Sequence, residues 1–313
     1  MDTTLDLLDL RLVRALADTG SITAAATLLG YSQPAVTQRL RRAEDHLGQP
    51  LVLRSGRGIV LTEAGRRLAQ HAVHVQTALD AATQDLEELA GGATGTLRLA
   101  GFPSASPTVV PRILALLRSA HPRLTVTYVE VEPPEAVALL ADGSADLALT
   151  FRYPGDGRDE DARGSVIETP LFRDTTLVVA PRGTFDGTDS AHGVDLARLA
   201  GQRFIGGCPR CRGHLLSLCR TAGFEPEIVL ETDNALAVTG LVAEGLGIAL
   251  LPSLSLLPAH PPVGVEVRAL PASGDRIVQV AHAAGAERIP AVQAALVAIG
   301  SLDPAAFGLR LAS

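Results

Sequence analysis

Two sets of side chains in this chain have the types and spacing to do chemistry. The first is Cys208-Pro209-Arg210-Cys211, followed by His214 and Cys219. Two cysteines two residues apart can form a redox dithiol or supply half of a zinc site, and His214 and Cys219 lie at plausible distances for the other half. Arg210 and Arg212 favour a thiolate over a thiol. Against this, Cys219 falls among Leu215, Leu216 and Leu218, where cysteine acts as a small hydrophobe, so structural or ligand-lining cysteines are the simpler reading. The second set is Gln33, Thr37, Gln38 and Arg41. Gln and Arg carry donors and acceptors that match base edges in DNA, and Thr37 offers a hydroxyl or a methyl group.

The second set needs a helix to present it. Ser32 can N-cap that helix, Pro34 suits its first turn and Gly48 marks its end. Val36, Leu40, Ala43 and Leu47 recur at helical spacing on one face, which leaves Gln33, Thr37, Gln38 and Arg41 on another. Upstream, Ser21 caps a short helix through Ala24, Ala25, Ala26, Leu28 and Leu29, and Gly30-Tyr31 is a tight link. Two short helices joined by a glycine-containing turn make a helix-turn-helix, or else an ordinary helical hairpin. Downstream, residues 51–61 read as a β-hairpin with a basic tip, a wing whose Arg54 and Arg57 lie along phosphates or reach the minor groove.

At this point Ala24-Ala25-Ala26, Ser32 to Thr37, Leu47-Gly48, Leu51 to Arg54 and Leu61-Thr62-Glu63-Ala64-Gly65 together resemble the winged helix-turn-helix of the LysR-type transcriptional regulators, over about the first 66 residues. The resemblance points to Gln33, Pro34, Thr37, Gln38 and Arg41 on the helix and Arg54 on the wing as DNA contacts. It implies a sequence-specific regulator of bacterial promoters, controlled by a small-molecule effector. Where the family often has an aromatic after the wing's first Leu, this chain has Val52.

From Thr62 to about Ala90 a long helix carries Leu68, Ala72, Val75, Leu79, Ala82, Leu86 and Leu89 at alternating spacings of four and three. That is a coiled-coil seam, and it predicts a dimer whose two recognition helices read half-sites. His71 and His74 on the same helix are read as exposed side chains, not a metal pair. Residues 90–95 form a Gly-rich hinge.

Beyond the hinge, strands and helices alternate in two series, which predicts two α/β lobes with a cleft between them. The expected fold is thus an N-terminal winged helix-turn-helix (1–61), a dimerisation helix and hinge (62–95), and an effector domain (96–303). By resemblance the last is similar to type 2 periplasmic binding proteins, with lobe I at about 96–166 plus 268–302 and lobe II at about 167–267. Ser104 and Ser106, with free backbone N–H groups around Ala105, can hold a carboxylate or phosphate. Thr150, Phe151, Gly207 and Cys208 are expected to face the same cleft. Gly245 and Gly247 read as turn glycines, since a dinucleotide fingerprint is incomplete.

Composition excludes several classes. The 313 residues carry a net charge of −7, but residues 1–67 hold nine Arg against seven acidic residues, so the acidity belongs to the downstream part. Arg39, Arg41, Arg42, Arg54 and Arg57 cluster beside the wing as a candidate phosphate footprint. The first residues lack the basic and apolar regions of a signal peptide, and no long apolar run follows, so a cytoplasmic location without membrane contact is expected. Three cysteines make no disulfide framework. No G-x-S-x-G, H-E-x-x-H or P-loop pattern supports an enzyme, and neither a catalytic residue nor a cofactor is expected. Expected partners are double-stranded DNA, a second copy of the chain (as dimer or tetramer), an effector and RNA polymerase. The alternatives are a redox or metal sensor acting through Cys208 and Cys211, and a solute-binding protein or enzyme on an α/β fold.

Overall fold

The computed structural model describes residues 5–55, 58–88, 95–156, 166–185, 193–270 and 274–312. Arg57, Leu89, most of the expected hinge and the side chain of Leu86 lie outside the described residues.

Local signals set the N-terminal head. Helix α1 (Leu7–Thr19) is capped by Asp6, whose Oδ1 accepts hydrogen bonds from Leu8 N at 2.8 Å and Asp9 N at 3.0 Å, and it ends at Gly20 in the left-handed conformation. Helix α2 (Ile22–Leu29) is capped by Ser21 and α3 spans Gln33–Leu47. Ser32 sits at the α3 N-cap in extended backbone, but its side chain makes no capping hydrogen bond. Leu12, Val13, Leu16, Ala25, Val36, Leu40 and Ala43 form the core between the three helices. The wing is the antiparallel pair β1 (Val52–Ser55) and β2 (Gly58–Leu61). Three bonds fix it to the helices: Glu44 Oε1 accepts from Leu51 N at 2.8 Å and from Val52 N at 3.3 Å, and Ile59 N donates to Gly20 O at 3.0 Å.

Helix α4 (Glu63–Glu88) starts where Thr62 Oγ1 donates to Pro50 O at 2.8 Å and accepts from Gly65 N at 3.0 Å. Leu51 is fully buried beneath it. A Cβ on Gly65 would stand 2.2 Å from Leu51 O, so only glycine lets the helix approach the wing this closely. The expected seam divides along its length. Leu68 and Ala72 are buried, Leu68 in the head core, whereas Val75 and Leu79 are 37% and 41% exposed and Ala82 is exposed. Ala81, off the seam, packs into the core of the C-terminal domain.

That domain has two sheets. The chain runs β3 (Gly95–Gly101), α5 (Val109–Ala120), β4 (Leu124–Glu130), α6 (Pro133–Ala141), β5 (Leu147–Arg152), β6 (Val166–Asp174), β7 (Thr176–Pro181), β8 (Arg203–Gly206), α7 (Pro209–Thr221), β9 (Glu227–Glu231), α8 (Ala235–Ala243), β10 (Ile248–Pro252), α9 (Ser253–Leu256), β11 (Val265–Ala269), β12 (Arg276–Ala283), α10 (Pro290–Gly300) and β13 (Arg310–Leu311). The first sheet has the order β13-β6-β12-β5-β3-β4 and the second β11-β7-β10-β8-β9. Strands β3, β4 and β5 are parallel, as are β8, β9 and β10. The remaining pairings are antiparallel, so both sheets are mixed where alternation of elements had predicted mainly parallel ones. The reason is topological: β6 and β12 run through lobe I next to each other at the two crossings between lobes. Residues 167–174, assigned to lobe II from sequence, therefore lie in the lobe I sheet, which also takes β13 near the end of the chain.

Gly65→Ala is expected to lower the stability of the head by about 2 to 3 kcal/mol, as an overpacking change against backbone. Gly213→Ala, in α7 with open space around it, should cost nothing. Urea titration of the two variants against the parent chain checks both.

Candidate DNA interface and effector cleft

On α3 the side chains split by face. Val36, Leu40 and Ala43 are buried, Thr37 is half-buried, and Gln33, Pro34, Gln38, Arg41 and Arg42 are exposed. Gln33 Nε2 donates to Thr37 Oγ1 at 3.1 Å, and Thr37 Oγ1 donates to Gln33 O at 3.0 Å, so these two hold each other in place on the first turns. Arg54 is exposed on β1, paired with Ile59 close to the wing tip. Arg39 differs from the rest of the basic cluster. It turns inward to ion-pair with Asp6 and, at 2.9 Å, with Asp9. Its hydrogen bond holds the Asp6 carboxyl below the usual carboxylate range. Arg39 thus ties α3 to α1 and is withdrawn from the phosphate footprint.

The cleft between the lobes is built around Arg276, which opens β12. Its guanidinium is 2% exposed, bonds Asp174 Oδ2 at 2.7 Å and donates to Ser104 Oγ at 2.7 Å. It stacks on Phe102 and Phe151, with Cζ 4.9 and 4.5 Å from their ring centres. Asp174, wholly buried at the end of β6, accepts two further bonds through Oδ1, from Ser253 Oγ at 2.7 Å and Leu254 N at 3.1 Å on α9. Lobe II reaches back through Arg210, whose Nη1 donates to Phe151 O at 3.0 Å. Between these groups lies a cavity of about 40 Å³ lined by Phe102, Ser104, Glu132, Phe151, Cys208 and Cys211 among others, room for a few water-sized molecules. A wider cavity of about 550 Å³ continues past Ser104, Ser106, Glu130, Asp233 and Asn234.

The residues singled out from sequence fall in different places. Ser104, Phe151, Gly207 and Cys208 meet at the small cavity. Ser106 lines the wider one and lies 2.6 Å from Tyr128 OH. Ala105 is fully buried in the lobe I core, and Thr150 is 1% exposed with its side chain directed away from Phe151 by the strand's pleat. Neither is among the residues lining the two cavities. Sequence reading missed Arg276, Asp174, Glu132 and Tyr153. The one signal available was an arginine opening β12, a strand with no other arginine, lysine or carboxylate.

The cysteines separate as well. Cys208 is the N-cap of α7, its Sγ accepting from Cys211 N at 3.4 Å, and the two sulfurs are 2.7 Å apart. Cys219 is fully buried in the lobe II core, where burial pushes its thiol up to about 11. His214 stacks on Tyr153 with ring centres 3.9 Å apart, and its Nε2 lies 3.0 Å from Gly274 O. Burial lowers its pKa, against the Gly274 hydrogen bond that raises it. Among the described residues no three His, Cys, Asp or Glu side chains are grouped to hold a metal ion.

Comparison with known proteins decides what this pairing of head and cleft is. Residues 7–66 match the family model described as bacterial regulatory helix-turn-helix protein, lysR family, and residues 90–301 match the LysR substrate binding domain. The chain belongs to the LysR family. This LysR protein is 29% identical to a probable HTH-type transcriptional regulator, LrrA, of Synechococcus elongatus, over 96% of this chain and 98% of that one. It is 31% identical to a probable hydrogen peroxide-inducible genes activator of Streptomyces viridosporus, over 79% and 77%. In fold it is similar to a full-length OxyR variant from Pseudomonas aeruginosa, with a TM-score of 0.69 at 23% identity over 96% of each chain. As a LysR-family member it is a DNA-binding transcriptional regulator with an effector-binding domain, and not an enzyme.

Arg276→Ala is expected to destabilise the LysR effector domain by about 3 to 5 kcal/mol, because it strands the Asp174 carboxylate without its cation. Adding Asp174→Asn should recover part of that loss. Denaturant midpoints of the single and double variants check it.

Proposed function

We propose that this regulator reads promoter DNA as a self-associated pair, placing α3 in the major groove and the wing along the flanking backbone, and that occupancy of the interlobe cleft alters that grip. The observation that carries the reading is the free polar face of α3. Gln38 and Arg41 are exposed beside Arg54, while Arg39 of the same helix is already committed to α1. Gln33 and Thr37 present a pre-set pair on the first turns. The exposed Val75 and Leu79 give the second copy an apolar stripe on α4. Among the described residues no helix is long and apolar enough to cross a membrane. The site of action is the cytoplasm, where the promoter and RNA polymerase, the further expected partner, are found.

The cleft also constrains its ligand. Glu130, Glu132 and Asp233 line its two cavities, and the one arginine among their described lining residues, Arg276, is neutralised by Asp174. A free carboxylate or phosphate, which the sequence alone admitted, would meet repulsion there. We infer a small neutral or cationic effector.

A nuclease footprint on the DNA upstream of the protein's own gene is expected to show protection over imperfect dyad half-sites. Gln38→Ala should then cost about 1 to 3 kcal/mol and relax base choice at one position, whereas Arg54→Ala should weaken binding to all sequences and lower the salt slope by about one. Equal losses on specific and random DNA for Gln38→Ala would remove it from base reading. In sedimentation, Val75→Glu with Leu79→Glu should shift the protein towards monomer; an unchanged mass would place self-association elsewhere.

A further inference from the structure

The cleft holds a cluster that neither DNA reading nor reversible ligand binding uses. Cys208 and Cys211, from lobe II, stand 2.7 Å apart at the N-terminus of α7. Lobe I surrounds them. Tyr153 OH donates to Cys211 Sγ at 3.7 Å, the Glu132 carboxyl lies beside Cys208, and the Arg276 charge acts on Cys211. Gly207 lets the pair sit this close to the strand, since a Cβ there would stand 3.1 Å from Cys211 Cβ.

The two thiols are unequal. Cys211 is the more accessible and lines the small cavity, and Cys208 is 7% exposed. The hydrogen bond from Cys208, with the Arg276 charge and the Tyr153 hydroxyl, lowers the pKa of Cys211 against its burial. The same bond and burial push the Cys208 thiol far up. Glu132 has one oxygen, Oε2, buried without a partner, and burial raises its pKa, so it can take up a proton and release it again.

We propose that Cys211 and Cys208 form a peroxide-reactive dithiol within the effector cleft, with Cys211 as nucleophile, Cys208 as resolving thiol and Glu132 as the proton acceptor for Cys208. The Cys211 thiolate attacks one oxygen of hydrogen peroxide or a small alkyl hydroperoxide. The O–O bond breaks, Cys211 becomes a sulfenic acid, and the leaving hydroxide or alkoxide takes up the proton that Cys211 gave up on ionising. Cys208 then passes its proton to Glu132 and its sulfur attacks Cys211. The S–O bond breaks, the disulfide forms, and the departing hydroxide takes the proton from Glu132 and leaves as water. Two thiols are oxidised by two electrons and one peroxide is reduced. The small cavity fits such an oxidant, and the acidic mouth of the cleft admits a neutral one. Oxidation removes the thiolate that Arg276 and Tyr153 face across the lobes, so it weakens a contact that holds them together. The proposal rests on the cleft as the sensing site, and its chemistry is tested without DNA.

The full-length protein, reduced and freed of reductant, is treated with stoichiometric hydrogen peroxide, and its thiols are counted after denaturation. The count should fall from three to one, with the mass lowered by two hydrogens per chain. Cys208→Ser should instead accumulate a sulfenic acid on Cys211, trapped as its dimedone adduct and located by mass spectrometry. Cys211→Ser should react no faster than a free cysteine, and Cys219→Ser should behave as the parent chain. Glu132→Gln should leave the first step intact, delay disulfide formation, and flatten the pH dependence of that second step. Three surviving thiols at peroxide concentrations that oxidise Cys208→Ser, a disulfide that includes Cys219, or an adduct on Cys208 would each overturn the assignment. DNA affinity of the same reduced sample is measured in parallel. Binding without thiol oxidation sinks the dithiol and leaves the regulator standing, while oxidation without binding does the reverse.

Discussion

The arrangement of the effector domain depends on one buried ion pair. Arg276 and Asp174 are both almost fully removed from water, a cost that only close pairing and further hydrogen bonds offset. Both conditions are met, with Asp174 accepting from α9 and Arg276 donating to Ser104 between two aromatic rings. Asp174 ends β6 and Arg276 begins β12, so the pair stands where the chain leaves lobe I for lobe II and where it returns. The pair thereby fixes the two crossing strands to each other at the point where the lobes meet. Phe102, Phe151 and Ser104 are positioned by the same guanidinium, and the cleft's shape follows from it.

How much of this was legible in the sequence follows from the range of each interaction. The head was readable because its determinants are local. The cap at Ser21, left-handed glycines at 30 and 48, and the spacing of Val36, Leu40 and Ala43 act within one or two turns, whereas the Asp6 cap was not read and Ser32 makes no capping bond. Even there a long-range pair escaped: Arg39 belongs to a basic run by sequence and to Asp6 and Asp9 in space. The lobe boundary failed for the same reason, since nothing in residues 167–174 announces that β12, about a hundred positions later, is their antiparallel neighbour. Thr150 was placed correctly at a strand end but on the wrong face, an error of one residue in a period of two. Glu132 and Arg276 carry no motif, and only the fold brings them to the cysteines.

Helix α4 shows why a single periodic stripe was read as a single interface. Its residues serve three surfaces: Leu68 completes the head core, Val73 and Ala81 pack on the effector domain, and Val75 and Leu79 stay exposed. A heptad pattern records only that apolar residues recur, not what each covers. The consequence is mechanical. A helix shared by the head and by lobe I cannot shift against one without straining its packing on the other.

That sharing sets the direction in which a signal can travel. The head and lobe I are already joined, by Val73 against Gly143, by Arg14 lying 3.9 Å from Asp142, and around a cavity of about 300 Å³ between α1, α4 and α6. Lobe II has its own sheet and core and reaches lobe I through the crossing strands and the cleft contacts of Arg210, Tyr153 and Cys211. The cleft is thus the joint between the two lobes, and the head also packs on lobe I. On the proposed reading, a change at the cleft reaches DNA by altering where lobe II stands relative to lobe I and the head. It can do so only in proportion to its differential effect on the open and closed cleft. Groups that face one another across the lobes are where such a difference arises, and groups within a single lobe, such as Ala105 and Cys219, have no means of producing it.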